Sequence, residues 1–139
     1  MKKEFKVIAE LLPNNIRVLD VGCGDGSLMD LLIKEKNIEA RGLEIKEEYV
    51  KKCIYKGLSV IEGNAETELN QFPDQSFDYV ILSQTLQAFY SPERVLKDLL
   101  RVGKCVIVSI PNFGYWKVRT SLLLFGKMPV TKTLPYSWH

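Results

Sequence analysis

The sequence predicts an α/β fold built on one open parallel sheet, and three observations lead to that prediction. Short apolar runs of strand length alternate with segments whose apolar residues recur at helical spacing. The first apolar run leads into a loop with three glycines in five positions, where sheets of this kind bind their ligands. The chain has 139 residues, which suits one domain with its own core.

The elements follow in chain order from the residue pattern. The opening segment, MKKEFKVIAELLPNN, has its apolar residues on one helical face. Strands are predicted at 16–21, 38–45, 58–63, 77–83 and 104–110. Helices are predicted at 27–36, 47–57, 91–103 and 115–125. Right-handed crossovers through such helices cover both faces of a parallel sheet.

Particular residues indicate where these elements begin and end. Gly57 ends the helix before it, because glycine is the usual residue just past a helix. Ser91 is predicted to cap the following helix, with Pro92 at its first position and Gly103 after its end. Pro111 ends the fifth strand.

Composition and charge exclude some classes of protein. Nineteen basic and seventeen acidic residues give a net charge of +2, too small to indicate a nucleic-acid partner by itself. The start lacks the pattern of a secretory signal, and no stretch approaches the roughly 18 apolar residues that a membrane span needs. We therefore expect no membrane association and a cytoplasmic location.

The cysteines and the histidine narrow the chemistry further. Cys23, Cys53 and Cys105 are odd in number, far apart and in no CxxC pair, which favours neither a disulfide framework nor a metal site. Buried or half-buried thiols in a reducing cytoplasm fit better. The only histidine is His139, so the sequence argues against a histidine base inside the domain.

The stretch VLDVGCGDGS raises the central question of why Gly22, Gly24 and Gly26 follow Asp20 at a strand end. Either the backbone turns as a Cβ would forbid, or a ligand approaches it closely. We expect Gly22 and Gly24 to let a ligand approach, and Gly26 to let the helix pack against the strand. Because G-x-G-x-G replaces G-x-G-x-x-G, and Asp25 adds a second carboxylate, a pyrophosphate is disfavoured. The loop suits a nucleoside that is not anionic, preferably a cationic one.

The ends of the next two strands supply complementary groups. Glu44 lies twenty-two positions after Gly22 and could accept hydrogen bonds from both hydroxyls of a ribose, or be a solvated strand-end acid. Asn64 and the main-chain N–H of Ala65 could read the polar edge of an adenine. Loop, ribose acid and base reader together are more specific than any one of them.

These residues resemble a known superfamily. LDVGCGDGS is similar to the first motif of class I S-adenosylmethionine-dependent methyltransferases, D-x-G-x-G-x-G, and GLEI and GNAE fall where that superfamily keeps its ribose and adenine contacts. Members more often have Asp at position 64. The resemblance implies S-adenosylmethionine as cofactor, with contacts from Asp20, Gly22, Cys23, Gly24, Gly26, Glu44, Ile45, Asn64, Ala65 and Ser83.

The downstream motifs narrow the resemblance to one family. FPDQSFDYVILSQTLQAFYSPERVL and PNFGYWKVRTSLLLFGKMPVTKTLPYSWH resemble the methionine-biosynthesis protein family MetW, over essentially the whole chain. The resemblance implies a Rossmann-like sheet of the class I methyltransferase type in a single domain, residues 1–139. Since the family runs longer, we expect a C-terminally truncated chain whose sheet lacks the final antiparallel strand pair.

The reaction is less well defined by the sequence. A sulfonium methyl group is already activated, so the protein must mainly hold donor and acceptor in line and exclude water. No side chain is an obvious base, and SQTL replaces the [DN]-P-P-[YF] stretch of enzymes that methylate amino groups of bases. Residues that could face a small-molecule acceptor are Ser83, Gln84, Gln87, Tyr90, Pro111, Asn112, Tyr115 and Trp116, although Ser83 and Gln84 could equally end the strand, and Tyr115 and Trp116 could equally be core residues.

The family resemblance also implies a second kind of function. MetW proteins are associated with homoserine O-acetyltransferase, which implies a partner or regulatory subunit that binds S-adenosylmethionine without using it. After Asp98 the chain has no acidic residue, and basic and aromatic residues are mixed there. Such a mixture fits either an interface or a solvated face over buried aromatics, with nucleic acid as the weakest reading.

The last predicted strand creates a problem at the edge of the sheet. Cys105–Ile110 would offer unpaired backbone groups on an apolar edge, which invites pairing with another chain. Residues 111–139 are therefore expected either to cover that edge or to exchange with a second copy in a homodimer.

Overall fold

The computed structural model describes residues 3–83, 89–111 and 120–125. Its helices are α1 (Lys3–Leu11), α2 (Ser27–Lys36), α3 (Glu47–Tyr55), α4 (Ala65–Glu68), which a turn of 3-10 helix (Leu69–Gln71) continues, and α5 (Pro92–Val102). Its strands are β1 (Arg17–Val21), β2 (Glu39–Glu44), β3 (Ser59–Glu62), β4 (Phe77–Ser83), β5 (Gly103–Pro111) and β6 (Thr120–Phe125). Within these ranges no helix is both long and apolar enough to pass through a bilayer.

The strands form one sheet in the order β3-β2-β1-β4-β5-β6. The first five run parallel, so their carboxyl ends share one edge, and Asp20 of β1 lies between Gly42 of β2 and Ile81 of β4. The order reverses at β1, which places the topological switch point between β1 and β4. The open parallel α/β sheet predicted from the sequence is confirmed.

Helices cover both faces of the sheet, as the crossover argument requires. The short parallel strands are apolar on both sides, so each face needs its own cover. The residues buried beneath α1, α2 and α3 include Ile8, Leu12, Val18, Leu28, Met29, Leu32, Ile81 and Ile107. Those buried beneath α4 and α5 include Leu19, Leu43, Leu69, Val80, Leu82, Val95, Leu99 and Val106.

The structure beside β5 contradicts part of the predicted helix at 115–125 and changes the prediction about the final strand pair. The predicted helix at 115–125 is wrong over Thr120–Phe125, which forms β6 antiparallel to β5, with Leu124 opposite Ile107; residues 115–119 lie outside the described ranges. A run of three leucines fits strand and helix alike, and the unpaired edge of β5 favours the strand. In the described ranges the sheet therefore has one antiparallel strand where we expected the final pair to be missing, and this strand covers β5.

Two local features differ from the prediction. The short helix α4 was not predicted; Asn64 begins it, its side-chain oxygen accepting from the N–H of Glu66 at 2.9 Å. Ser91 does occupy the cap position of α5 and Pro92 follows it, but the side chain of Ser91 makes no capping hydrogen bond. Other groups must therefore serve the beginning of α5.

The first helix is fastened to the far side of the sheet by a buried polar pair. Glu4 of α1 is buried, and its carboxylate accepts a hydrogen bond from the hydroxyl of Ser109, which is fully buried in β5. Burying a carboxylate is costly unless it is hydrogen-bonded, so this contact fixes where α1 crosses the sheet. The neighbouring residue, Phe5, is thereby held near the carboxyl edge of the strands.

Candidate functional site

A cleft of about 1000 Å³ opens at the carboxyl ends of the parallel strands. Its walls come from the loops after β1, β2 and β3, from α1, and from the segment before α5. Eight of the ten predicted cofactor residues line it: Asp20, Gly22, Cys23, Gly24, Glu44, Ile45, Asn64 and Ala65. The structure thus brings together groups that are up to 45 residues apart in the sequence.

The glycine loop answers the question raised by its sequence. Gly22, Gly24 and Gly26 all have positive φ, at 73°, 58° and 84°, which side chains rarely tolerate. A Cβ on Gly24 would meet open space, so the backbone there is bare toward the cleft. A Cβ on Gly26 would collide with Leu58 and lie 3.0 Å from Cys53 Sγ. The loop is therefore a turn that disfavours side chains, and it leaves open space beside Gly24 in which a ligand could approach the backbone.

Gly26 differs from the prediction in what it packs against. It precedes α2 and does not line the cleft. The groups that exclude a side chain there, Leu58 and Cys53, belong to the end of α3 and the residues before β3, not to the strand that leads into the loop. The third glycine thus fits α2 and its loop against the next crossover unit.

Asp20 is a buried carboxyl group without a complete set of partners. It is 2% exposed, and its Oδ1 atom is buried with no hydrogen-bond partner. Burial, and then the nearby charge of Glu44, raise the pKa of Asp20 to about 8. A buried polar atom left unpaired requires an explanation, and a cationic ligand in the cleft would supply one.

Glu44 is buried and hydrogen-bonded. It is 7% exposed at the end of β2, and each of its oxygens accepts one backbone N–H: Oε1 from Gly24 at 2.8 Å and Oε2 from Lys46 at 2.9 Å. The alternative of a solvated strand-end acid is therefore wrong. A carboxylate has about four acceptor positions, so two remain for a ligand such as a vicinal diol.

Asp25 stabilises the turn of the loop from inside. Its Oδ1 accepts from the N–H of Ser27 at 3.0 Å and from the hydroxyl of Ser27 at 2.6 Å. These bonds are the main cause of a lowered pKa for Asp25, to which Lys56 and Lys52 also contribute. This carboxylate is thus charged and committed to the protein, although it lines the cleft.

The cysteines are free thiols, as predicted: Cys23 and Cys53 are buried and Cys105 is half-buried. The sulfur atoms of Cys23 and Cys53 lie 3.9 Å apart, and that of Cys53 lies 3.2 Å from the carbonyl oxygen of Gly24. Burial raises the pKa of both thiols. Thiols of this kind are unreactive packing groups beneath the loop. In the described part of the chain no three His, Cys, Asp or Glu side chains cluster as metal ligands would.

The third strand end contributes a polar and an apolar surface. Asn64 and Ala65 line the cleft at the beginning of α4, and the Asn64 oxygen that could read an adenine already accepts from Glu66. That oxygen keeps a second lone pair. Ile45, after β2, is 59% exposed and faces the same cleft. An exposed isoleucine beside such groups gives a flat base an apolar surface to lie on.

Aromatic side chains form much of the remaining wall. Phe5, Tyr49, Phe89 and Tyr90 line the cleft. Of these only Tyr90, 94% exposed, was expected to face a ligand. Phe5 could have been suspected from the apolar face of the first helix. Tyr49 and Phe89 carried no signal, since only the crossover geometry brings them to the strand ends.

The remaining candidates cannot be placed in the cleft. Ser83 is the last residue of β4 and pairs with Ser109 of β5. The structure describes the backbone of Ser83 but not its side chain. Pro111 is the last residue of β5, and the structure describes its backbone only. The candidate acceptor residues that lie outside the described ranges are Gln84, Gln87, Asn112, Tyr115 and Trp116.

Comparison with known proteins gives a consistent result. The family model for the methionine biosynthesis protein MetW matches residues 2–139. A bifunctional methionine biosynthesis protein MetXA/MetW of Rhodopirellula baltica is 34% identical over 142 positions, which cover 95% of this chain and 23% of that protein. A demethylmenaquinone methyltransferase of Listeria welshimeri is 33% identical, covering 87% of this chain and 59% of that protein.

A solved structure agrees with the sequence matches. A SAM-dependent methyltransferase of Archaeoglobus fulgidus superposes with a TM-score of 0.64 at 26% identity, over 78% of this chain and 53% of that one. The chain thus spans only part of the length of each of these relatives.

Proposed function

The chain belongs to the family of the methionine biosynthesis protein MetW, and from that premise we propose that it binds S-adenosylmethionine in the cleft and transfers the methyl group to a small molecule in methionine biosynthesis. The single observation that carries the proposal is the pair of buried carboxyl groups, Asp20 and Glu44, which line the cleft together with the bare backbone of Gly24. A phosphate-bearing ligand would be repelled there, whereas a cationic nucleoside would be attracted.

The chain's residues fit this cofactor part by part. Glu44 keeps acceptor positions for the two ribose hydroxyls, and its bonds to Gly24 and Lys46 hold it in place before any ligand arrives. Asn64, Ala65 and Ile45 offer polar contacts and an apolar surface for the adenine. Gly22 and Gly24 allow the methionine portion to approach the backbone, with Asp20 behind them.

The chemistry assigns a limited task to the protein. The cofactor supplies a methyl group that its sulfonium already activates. The protein then has to bind, orient and exclude water, which agrees with a cleft walled by Phe5, Tyr49, Phe89 and Tyr90. Tyr90 is the described residue that we assign to the acceptor side. We assign no catalytic base.

A second candidate function rests on a different observation. The Rhodopirellula baltica relative carries MetXA and MetW in one name, and the chain covers 23% of it. This favours a protein that binds S-adenosylmethionine and acts as a partner or regulatory subunit of homoserine O-acetyltransferase. Ser83 stays assigned as a cofactor or acceptor contact, and the basic and aromatic residues after Asp98 stay assigned as the candidate interface.

Calorimetry tests the cofactor site directly. We expect S-adenosylmethionine to bind, and Glu44→Ala to weaken binding by about tenfold or more, since a hydrogen bond to a charged group contributes about 1.5–3 kcal/mol. The matched control is Glu48→Ala, which removes the same charge from an exposed position on α3. Equal affinities of the two variants would refute the ribose role of Glu44.

A second pair of measurements separates enzyme from binding protein. Transfer of a labelled methyl group to candidate metabolites, abolished in Glu44→Ala, would establish the enzyme. Binding of the cofactor without transfer, together with co-purification with homoserine O-acetyltransferase, would establish the regulatory subunit.

A further inference from the structure

Glu66 is hydrogen-bonded to two walls of the cleft, one formed by Asn64 and the other by the segment that contains Tyr90 and Ser91. It lines the cleft at the second position of α4. Its own N–H donates to the Asn64 side chain at 2.9 Å, on the side proposed for the adenine. Its carboxylate accepts from the N–H groups of Tyr90 and Ser91, at 3.4 and 3.2 Å.

The segment that Glu66 holds contributes directly to the cleft. Phe89 packs against the core beneath α5, whereas Tyr90 is almost fully exposed, and both rings line the opening. Ser91 occupies the cap position of α5 but its hydroxyl does not cap the helix. The carboxylate of Glu66 thus provides an acceptor for the N–H groups just before α5, and it adds to the negative charge of Glu93 in the first turn of that helix.

The two ends of α5 are fastened differently to the same neighbouring segment. At the far end, Arg101 donates to the carbonyl oxygens of Phe72 and Leu69 at 2.7 and 2.8 Å, and pairs with Asp74 at 2.8 Å. These are short, charge-assisted bonds, whereas those of Glu66 are longer than the usual 2.9 Å. The hydrogen bonds at the end of α5 beside the cleft are therefore the longer ones.

From this asymmetry we propose that Glu66 is a positioning residue that couples occupation of the cofactor site to the placement of the Phe89–Tyr90 wall. A ligand that engages Asn64 orders the beginning of α4, which brings the Glu66 carboxylate closer to the N–H groups of Tyr90 and Ser91. The acceptor-side wall then becomes rigid only when the donor is present. This inference rests on the proposed cofactor site but adds a link that the site itself does not contain.

Amide hydrogen exchange measured by NMR at Tyr90 and Ser91 tests the link. In the unmodified protein we expect S-adenosylmethionine or S-adenosylhomocysteine to slow exchange of these two amides by about tenfold, the scale of one hydrogen bond to a charged acceptor. In Glu66→Ala exchange is faster without ligand, and either ligand no longer slows it. Glu66→Gln, which keeps one acceptor oxygen, falls between the two.

Arg101→Ala is the matched control, because it releases the other end of α5 and leaves the cleft untouched. We expect it to lower stability without removing the ligand's effect on the two amides. Protection of these amides by ligand in Glu66→Ala equal to that in the unmodified protein would overturn the proposal. So would the same loss in Arg101→Ala.

Failure of the proposed function would look different. If calorimetry finds no binding of either ligand to the unmodified protein, the cofactor site is wrong and the coupling falls with it. Faster exchange in ligand-free Glu66→Ala would then still show that Glu66 holds the segment. Normal binding with unaltered exchange in Glu66→Ala would overturn the coupling and leave the cofactor site intact.

Discussion

Two buried carboxyl groups face one cleft, and their surroundings differ. Glu44 is satisfied by backbone N–H groups from the glycine loop and from Lys46. Asp20 has a buried oxygen without a partner and a pKa raised to about 8, first by burial and then by Glu44. Near neutral pH the carboxyl group of Asp20 in the ligand-free protein is therefore largely protonated, and a cationic ligand would favour loss of that proton.

The raised pKa of Asp20 predicts how stability depends on pH. The ordinary value is 3.8, so between about pH 4 and pH 8 the folded protein keeps a proton that the unfolded chain has lost. The stabilising contribution is complete below about pH 4 and is lost as pH rises through 8. Urea unfolding of the ligand-free protein should show stability falling, relative to Asp20→Asn, by up to about 1.4 kcal/mol per pH unit in this window.

The comparison with Asp20→Asn serves as its own control, because groups common to both proteins cancel in the difference. A difference between the two proteins that stays constant from about pH 5 to about pH 8 would show that Asp20 is ionised in the folded state. The buried oxygen would then need a cation or donor elsewhere in the protein.

At the scale of single residues, the sequence predicts which residues line the cleft better than it predicts the hydrogen bonds that they make. Asp20, Glu44 and Asn64 were assigned from their positions at strand ends, and all three line the cleft. Their hydrogen bonds could not be predicted, because the bond from Gly24 to Glu44 depends on how β1 and β2 are aligned. Register is set by the packing of whole strands, which no local pattern records.

At the scale of elements, the fit between β2 and the glycine loop depends on one small residue. A Cβ on Gly42 would lie 2.6 Å from Cys23 Sγ and 2.8 Å from Met29 Cε. Both neighbours are buried, so neither can turn outward freely. Gly42 therefore lets the loop, which carries Cys23 into the cleft, sit directly on β2.

Gly42→Ala is expected to destabilise the protein by about 1–3 kcal/mol, the usual cost of overpacking a core. Because Cys23 must move, binding of S-adenosylmethionine should weaken as well. Thermal or urea unfolding and calorimetry measure the two effects. Adding Cys23→Ala removes the nearest sulfur and should recover part of the loss; strict additivity of the two substitutions would contradict the proposed collision.

Elements were predictable where periodicity and caps agreed, and not where they conflicted. The helix beginning at Pro92 and the strand beginning at Phe77 lie where they were predicted. The four-residue helix α4 is shorter than any periodic signal, although an asparagine before Ala-Glu-Thr-Glu is a recognisable start. The Thr120–Phe125 strand ends in a run of four apolar residues, which fits a helix and a strand alike, so its pairing with β5 decides its conformation.

At the scale of the whole molecule, the order of strands and crossovers was available from the sequence because handedness and short connections leave few alternatives. The predicted strand order did not show which strands form the two edges of the sheet. One edge is β3, four residues long. Among the described residues the other is β6, which pairs with β5 along its length from Val106 to Pro111. The long strand β5 therefore has a neighbouring strand on each side.

Proline substitution tests whether β6 covers β5 in this way. In an antiparallel pair alternate N–H groups point to the partner strand, so of Leu122 and Leu123 one donates toward β5 and the other points away. Proline removes the N–H group. One of Leu122→Pro and Leu123→Pro should therefore release β6, while the other retains the pairing.

The variant that releases β6 exposes the edge of β5. Its molecules should therefore associate increasingly as protein concentration rises, which sedimentation or light scattering measures. The retained variant stays in the state of the unmodified protein, which controls for proline itself. If both variants behave alike, β6 is not the strand that protects this edge. If the unmodified protein is already a dimer and only one of the two variants dissociates it, the strand pairs between copies.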